Sequence, residues 1–320
     1  MTAARVPLGS TGLEVFPLQL GGNTLGFTAD AATSFDVLDA FVEAGGNSID
    51  TADFYSAWAP GHSGGESERV IGAWLADRGT REDIVIATKM GMLEPYTTLD
   101  ERSIRAALAR SLERLQTDHV DLYYMHQDDG STPVQAILET LAALTEEGLI
   151  RAIGASNFSA ARLREAMDTA KRRGLRGFQV LQEDYSLVNR AGYEHGVRDV
   201  ALEYGITTVP YRSLAKGFLS GRYRPGRNWE TTTHTAVAVG YLERFGGRLL
   251  EELERIADAH STTMSAIGLA WVRSRPTIAL PLTGVRTIEQ LADVLPAANV
   301  TLTTEEAAIL TTLTEPESVA

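Results

Sequence analysis

One pattern limits the folds open to this chain. Short apolar runs of extended character begin near residues 47, 84, 121, 150, 178 and 206, at intervals of 28 to 37 residues. They read "NSID", "DIVIATK", "VDLYYMH", "IRAIGAS", "GFQVLQ" and "ITTVPY". Between them lie stretches with apolar residues at helical spacing. Phe35, Leu38, Phe41 and Val42 form one such face, stopped by Gly45-Gly46. Trp74 and Leu75 end a short helix, and Ile104, Leu108, Leu112 and Leu115 give the next stripe. Val134, Ile137, Leu138, Leu141 and Leu144 follow, with Pro133 at the first turn, then helices around Leu163 to Met167 and from His195 to Tyr204. Alternation at this spacing builds βα units with parallel strands. A strand at Leu18–Leu20 and a late one at "TIALPL" raise the total to eight, the number that closes a (β/α)8 TIM barrel. The structural rival is a doubly wound sheet, which usually carries a glycine-rich phosphate loop after its first strand. "LGGNTLGFTAD" has glycines without that fingerprint, so the α/β barrel is expected, as a single domain over 1–320. "RVPLGSTGLEV" adds an N-terminal hairpin, with Gly9-Ser10-Thr11-Gly12 at its turn.

Composition narrows the function classes. The net charge of −13, from 42 acidic against 29 basic residues, disfavours a nucleic-acid surface, which needs a basic stripe. A small anionic ligand needs only a local cluster of cations. The chain has no cysteine, which removes disulfides and thiolate metal sites, and its six histidines are scattered. The first residues hold no continuous apolar block, and no later run approaches the ~18 apolar residues of a membrane span. A cytoplasmic protein without membrane insertion is the expectation. The irregular region from Arg212 to about Gly240, after the seventh strand, contrasts with the acidic whole: it carries Lys216, Arg222, Tyr223, Arg224, Arg227 and Trp229. A loop of that length is usually functional or disordered.

In a barrel the C-terminal strand ends converge on one mouth, where catalytic side chains sit. Read to their ends, the strands deliver Asp50 with Tyr55 just beyond, Lys89, His126, Ser156-Asn157, Gln182 and Tyr211. Singly, each has a plain structural explanation; Lys89 could snorkel from a strand end, and a lone histidine is more often hydrogen-bonded scaffolding. Together at one edge they suggest a reaction centre. An ammonium near a phenol favours the phenolate and is expected to lower its pKa from about 10. Asp50 would anchor Lys89, His126 would share the proton or orient a substrate oxygen, and Tyr55 would act as general acid to a carbonyl. Such a set lacks an electron source, so a bound organic cofactor must carry hydride.

These segments resemble the aldo-keto reductase superfamily across nearly the whole chain, nearer the bacterial branch related to potassium-channel β-subunits and general stress reductases. "IDTADFY", "IATK" and "DLYYMH" match its catalytic segments, and the resemblance implies a centre of Asp50, Tyr55, Lys89 and His126. It implies an extended nicotinamide dinucleotide, with Ser156, Asn157 and Gln182 on the carboxamide and Tyr211 stacked on the ring. "RSLAKGFLSGRY" is similar to the loop around the pyrophosphate, which points to Leu214, Lys216 and Arg222. Gly284, Arg286, Gln290 and Asp293 match the adenosine-end segment. Arg286 stands where a basic residue meets the 2′-phosphate, so NADPH is favoured and NADH remains possible. The chain departs from the pattern at Ser56, at Gln127-Asp128-Asp129 and at Arg212-Ser213, all of which bear on substrate preference.

Trp58, Met90, Met92, Tyr96, Gln127 and Trp229 follow the strand ends and are candidates for the substrate pocket. Aromatic and thioether walls suit an apolar or ring-bearing carbonyl compound. Two other classes compete. A barrel hydrolase could use Asp128 and Asp129, but adjacent side chains on an extended segment point apart and no histidine cluster completes a metal shell. A cofactor-binding regulatory protein with slow reductase turnover would retain the same site. Protein partners are not legible in the sequence.

Overall fold

The computed structural model describes residues 3–224, 229, 231 and 235–315. Arg227, one of the loop cations above, lies outside the described residues. The chain opens with a hairpin of β1 (Val6–Pro7) and β2 (Glu14–Val15). Eight parallel strands follow: β3 (Gln19–Gly21), β4 (Ser48–Asp50), β5 (Val85–Met90), β6 (Val120–Met125), β7 (Ile150–Ser156), β8 (Val180–Gln182), β9 (Thr207–Thr208) and β10 (Leu282–Gly284). Their order is sequential from β3 to β9, with β10 on the free side of β3. The other edge is closed by the segment leading into β10: Thr208 N donates to Thr277 O (2.7 Å) and Leu282 N to Pro210 O (2.9 Å). The architecture is the expected (β/α)8 barrel.

The helices are α1 (Ala31–Glu43), α2 (Glu66–Arg78), α3 (Glu101–Leu115), α4 (Val134–Glu146), α5 (Ala160–Arg173), α6 (Arg198–Tyr204), α7 (Thr235–Ala259), α8 (Met264–Arg273), α9 (Ile288–Val294) and α10 (Thr304–Leu313). Side chains of Asp30, Asp100, Ser159, Thr263, Thr287 and Thr303 cap six of them by accepting an otherwise unpaired backbone N–H. Outer strand faces and helix stripes share one large core containing Phe41, Trp74, Leu108, Leu141 and Trp271. A second core fills the barrel interior with Val85, Ala87, Leu122, Tyr124, Val180 and Leu280. Leu8 and Val15 of the hairpin join that inner core and plug its floor.

Four boundaries differ from the sequence reading. The eighth strand falls at Leu282–Gly284 rather than across "TIALPL", because Pro281 has no N–H to donate. The helix holding Trp74 continues a turn further, to Arg78, and stops where Gly79 turns left-handed (φ 64°). His195 and Gly196 form a kinked turn, so regular helix starts at Arg198. The region 212–240 is not irregular throughout: helical turns occupy Ala215–Ser220 and α7 begins at Thr235. Among the described residues no helix is long and apolar enough to cross a membrane.

Candidate active site

Parallel strands all present their C-terminal ends at one rim, which brings Asp50, Lys89 and His126 together from β4, β5 and the residue after β6. Lys89 Nζ is fully buried and uses all three donors: to Asp50 Oδ2 (2.5 Å), to the Thr51 carbonyl (2.8 Å) and to the Tyr55 hydroxyl (2.9 Å). The Tyr55 hydroxyl in turn donates to Asp50 Oδ2 (3.0 Å), and Gln182 Nε2 donates to Asp50 Oδ1 (2.9 Å). Asp50 therefore organises three side chains. Tyr55 reaches it because the chain after β4 curls through tight turns, with Ser56 at φ 76°. His126 meets the Tyr55 ring edge-on, with centroids 6.1 Å apart. Its Nδ1 is buried with no partner among the described residues.

Electrostatics here differ from the sequence expectation. Burial, reinforced by the Asp50 carboxylate, pushes the Tyr55 phenol well above its ordinary pKa, and Lys89 does not reverse it. The phenol is held as O–H, the form that can donate a proton. Burial lowers the Lys89 ammonium, opposed by Asp50, Asp53 and Glu68. Burial, then the Lys89 charge, holds His126 well below its ordinary value, so the imidazole is neutral.

Around this centre the rim carries a second arc. Asn157, at φ 56°, donates from Nδ2 to Ser156 Oγ (3.0 Å) and to the His126 carbonyl (2.9 Å). It accepts from the Tyr211 hydroxyl (2.8 Å). Arg212 lies over the Tyr211 ring and pairs with Asp184 (2.6 Å). Half-buried Leu214 and Lys216 and exposed Arg222 lie on the loop beyond, with Lys216 at φ 54°. Gly284 ends β10, where a Cβ would come within 2.4 Å of Asn23 Oδ1, so Asn23 packs closely over it. Gln290 Oε1 accepts from the Arg286 backbone N–H (2.9 Å). Asp293 is engaged by Ser265 Oγ (2.5 Å) and ties α9 to α8. Among the described residues the Arg286 guanidinium forms no ion pair.

The substrate-pocket candidates separate. Trp58 is 49% exposed, and its ring lies 6.1 Å from that of Tyr55. Met90 lies fully buried in the core between strands and helices, on the opposite strand face from Lys89. Tyr96 sits under the Arg110 guanidinium, and half-buried Met92 follows Gly91, whose carbonyl accepts from Gln127 Nε2 (3.2 Å). Trp229 packs edge-on against buried Tyr223. The sequence reading missed Phe27 and Phe54, which continue the ring series through Trp58 at 6.2 and 5.7 Å. "LGGNTLGFTAD" offered Phe27 as a signal only to a reading that knew this loop flanks "IDTADFY" across the rim. Asp128 and Asp129 are structural: one pairs with Arg162 (3.1 Å), the other accepts from Leu99 N (2.7 Å) and caps its own turn. Among the described residues no group of acidic or histidine side chains could hold a metal ion.

The family model for the aldo/keto reductase family matches residues 17–315. The chain belongs to the aldo/keto reductase family. It is 34% identical over 310 residues to an uncharacterized oxidoreductase of Bacillus subtilis, covering 93% of this chain and 92% of the relative. A norsolorinic acid reductase of Aspergillus flavus is 31% identical (94% and 78% covered). A putative aryl-alcohol dehydrogenase of Saccharomyces cerevisiae is also 31% identical (94% and 84% covered). Membership supports oxidoreductase activity of this general class, carbonyl reduction with a nicotinamide cofactor.

Proposed function

We propose that the chain reduces ring-bearing aldehydes and ketones to alcohols with NADPH, Tyr55 serving as general acid. The observation that carries this reading is the row of rings from His126 and Tyr55 through Trp58 to Phe27, which is 38% exposed at the outer end. Flat, half-exposed rings favour edge and face contacts with another ring. The name of one relative, aryl-alcohol dehydrogenase, points to the same class.

The donor set fits the cofactor. Ser156, Asn157 and Gln182 would hold the carboxamide and Tyr211 would stack on the ring. Leu214, Lys216 and Arg222 would take the pyrophosphate, and Gly284, Arg286, Gln290 and Asp293 the adenosine end. The uncommitted guanidinium of Arg286 supports this. Bound nicotinamide supplies the hydride. Tyr55 holds its proton for the carbonyl oxygen, Lys89 and Asp50 fix the hydroxyl, and neutral His126 can direct the same oxygen. As developing negative charge replaces a neutral oxygen, the nearby ammonium gains most in the transition state. Within the family we read the chain as nearer the branch related to potassium-channel β-subunits and general stress reductases.

The test is fluorescence titration with NADPH, followed by its oxidation with 4-nitrobenzaldehyde and a matched aliphatic aldehyde. Tyr55→Phe should keep nucleotide affinity and lose roughly 10²-fold or more of the turnover. Equal turnover in variant and parent would remove Tyr55 as the acid. Binding without turnover across a varied carbonyl panel would favour a regulatory protein.

A further inference from the structure

Arg212 follows Tyr211 where the chain leaves the rim after β9 and enters the loop of Leu214 and Lys216. The Tyr211 side chain packs against the inner barrel core, and its hydroxyl donates to Asn157 Oδ1 (2.8 Å). The Arg212 guanidinium lies over that ring, 5.4 Å from its centroid. Its side chain is 52% exposed, so it covers the ring from the solvent side and not from the core. Arg212 Nη1 donates to Asp184 Oδ2 (2.6 Å), and Asp184 Oδ1 accepts from Asn189 Nδ2 (2.9 Å). The same part of the rim places both partners: residues 184 and 211 form a parallel bridge, and the Tyr211 N–H donates to the Glu183 carbonyl (2.9 Å). Among the described residues Asp184 is the only ion-pair partner of Arg212.

The backbone here is fixed, while the guanidinium is held by a contact that can exchange. Arg212, Ala215 and Lys216 adopt left-handed conformations (φ 54°, 50° and 54°), which non-glycine residues rarely hold outside functional sites. The turn closes on itself. Ser213 Oγ donates to the Pro210 carbonyl (2.9 Å), the Ala215 N–H to the Arg212 carbonyl (2.7 Å) and the Gly217 N–H to the Leu214 carbonyl (2.9 Å). Two cations, Arg212 and Lys216, are thereby held on one turn of a chain whose net charge is −13. A half-exposed ion pair such as that with Asp184 contributes little and is readily given up. The guanidinium fork suits phosphate as well as carboxylate. A nicotinamide stacked on the open face of Tyr211 and the Arg212 guanidinium cannot share that face, and the displaced charge then needs another anion.

We propose that Arg212 is a further cofactor-binding residue, held in reserve over Tyr211 by Asp184, whose guanidinium exchanges that carboxylate for a phosphate oxygen of the dinucleotide. The role rests on the reading that NADPH binds along this loop. Its test is a fluorescence titration of the full chain with NADPH, without substrate, at several NaCl concentrations. Asp184→Asn keeps an acceptor for Asn189 and releases the guanidinium, so Kd should fall by about two- to fivefold. Arg212→Gln should raise Kd by roughly tenfold and flatten its rise with salt, whereas Arg212→Lys should keep the salt dependence. In the double variant the gain from Asp184→Asn should vanish, because no guanidinium remains to release. A gain that survives there would be a general effect of removing one negative charge, and it overturns the exchange. So does an unchanged or higher Kd in Asp184→Asn, or an unchanged or lower Kd in Arg212→Gln. Should Asp184→Asn fail to fold, Asp184→Ser carries the same expectation. A parent that binds NADPH while the variants stay unmoved refutes the role of Arg212 alone; a parent that binds no nucleotide removes the cofactor reading and this role with it.

Discussion

At the scale of single residues, Tyr55 shows what a linear reading misses. The pairing of a phenol with Lys89 was legible because polar residues closing apolar strands must meet at a barrel rim. The direction of the phenol's pKa was not, because it depends on burial depth and on Asp50 Oδ2 lying within 3.0 Å of the hydroxyl. The Thr51 carbonyl that accepts a hydrogen bond from Lys89 Nζ has no sequence signature at all. The neutral state of His126 has a direct consequence. A free imidazole titrates near about 6.5, whereas His126 stays uncharged until well below that. The kcat for carbonyl reduction should therefore be flat between about pH 6 and 7.5; a step centred near about 6.5 would show a charged histidine in the centre. At the proposed adenosine end, Arg286→Ala should weaken NADPH by roughly tenfold or more and NADH by less than about twofold, as expected if its guanidinium reads the 2′-phosphate. Parallel weakening of both nucleotides would deny it that role.

At the scale of elements, helical stripes and strand runs were readable from periodicity, and the misplacements have local causes. Pro281 divides the last strand, and Gly196 breaks the helix that periodicity ran back to His195. Close approaches between elements were invisible. Gly72 lets α2 settle on the end of α3, and Gly72→Ala, with its Cβ 2.2 Å from the Arg114 carbonyl oxygen, should cost roughly 1–3 kcal/mol as the urea midpoint records. The turn after β7 is held similarly by Glu183, which accepts from the Asn157 and Phe158 backbone N–H groups. Burial raises its carboxyl to about 7 from an ordinary 4.5, and Glu183 Oε1 is left without a partner among the described residues. A carboxyl with a raised folded-state value binds more protons folded than unfolded, so its contribution is fully present below about 4.5 and declines as pH rises to about 7. Glu183→Gln should remove that decline. Relative to the parent, its Tm should rise by about 1–3 °C on going from pH 5 to pH 8; a constant difference would refute the titration.

Across the whole molecule, the apolar plug and the proposed reaction centre occupy opposite ends of one barrel. The rim gathers buried charges, left-handed residues such as Asn157, Arg212 and Lys216, and half-exposed rings, none of which a fold would select for packing. The floor is apolar and tight: Leu8 and Val15 enter the inner core, Gln179 Nε2 donates to the Ser10 carbonyl (2.9 Å), and Gly9 at φ 55° abuts Thr207. The hairpin was legible as an element, but its function as a plug was not, because nothing in "RVPLGSTGLEV" states which end of the barrel it covers. Its consequence is a separation that can be measured. Leu8→Ala empties a site only 1% exposed and should destabilise by about 2–5 kcal/mol. With the rim untouched, kcat and KM of the folded variant should match the parent. Tyr55→Phe should do the reverse, collapsing turnover while costing only about 1–3 kcal/mol in stability, because the half-buried ring keeps its contacts and Lys89 loses one of its three acceptors. If Leu8→Ala lowered kcat in step with stability, the floor would be coupled to the reaction centre through the inner strand faces, and the two ends would have to be treated as one cooperative unit.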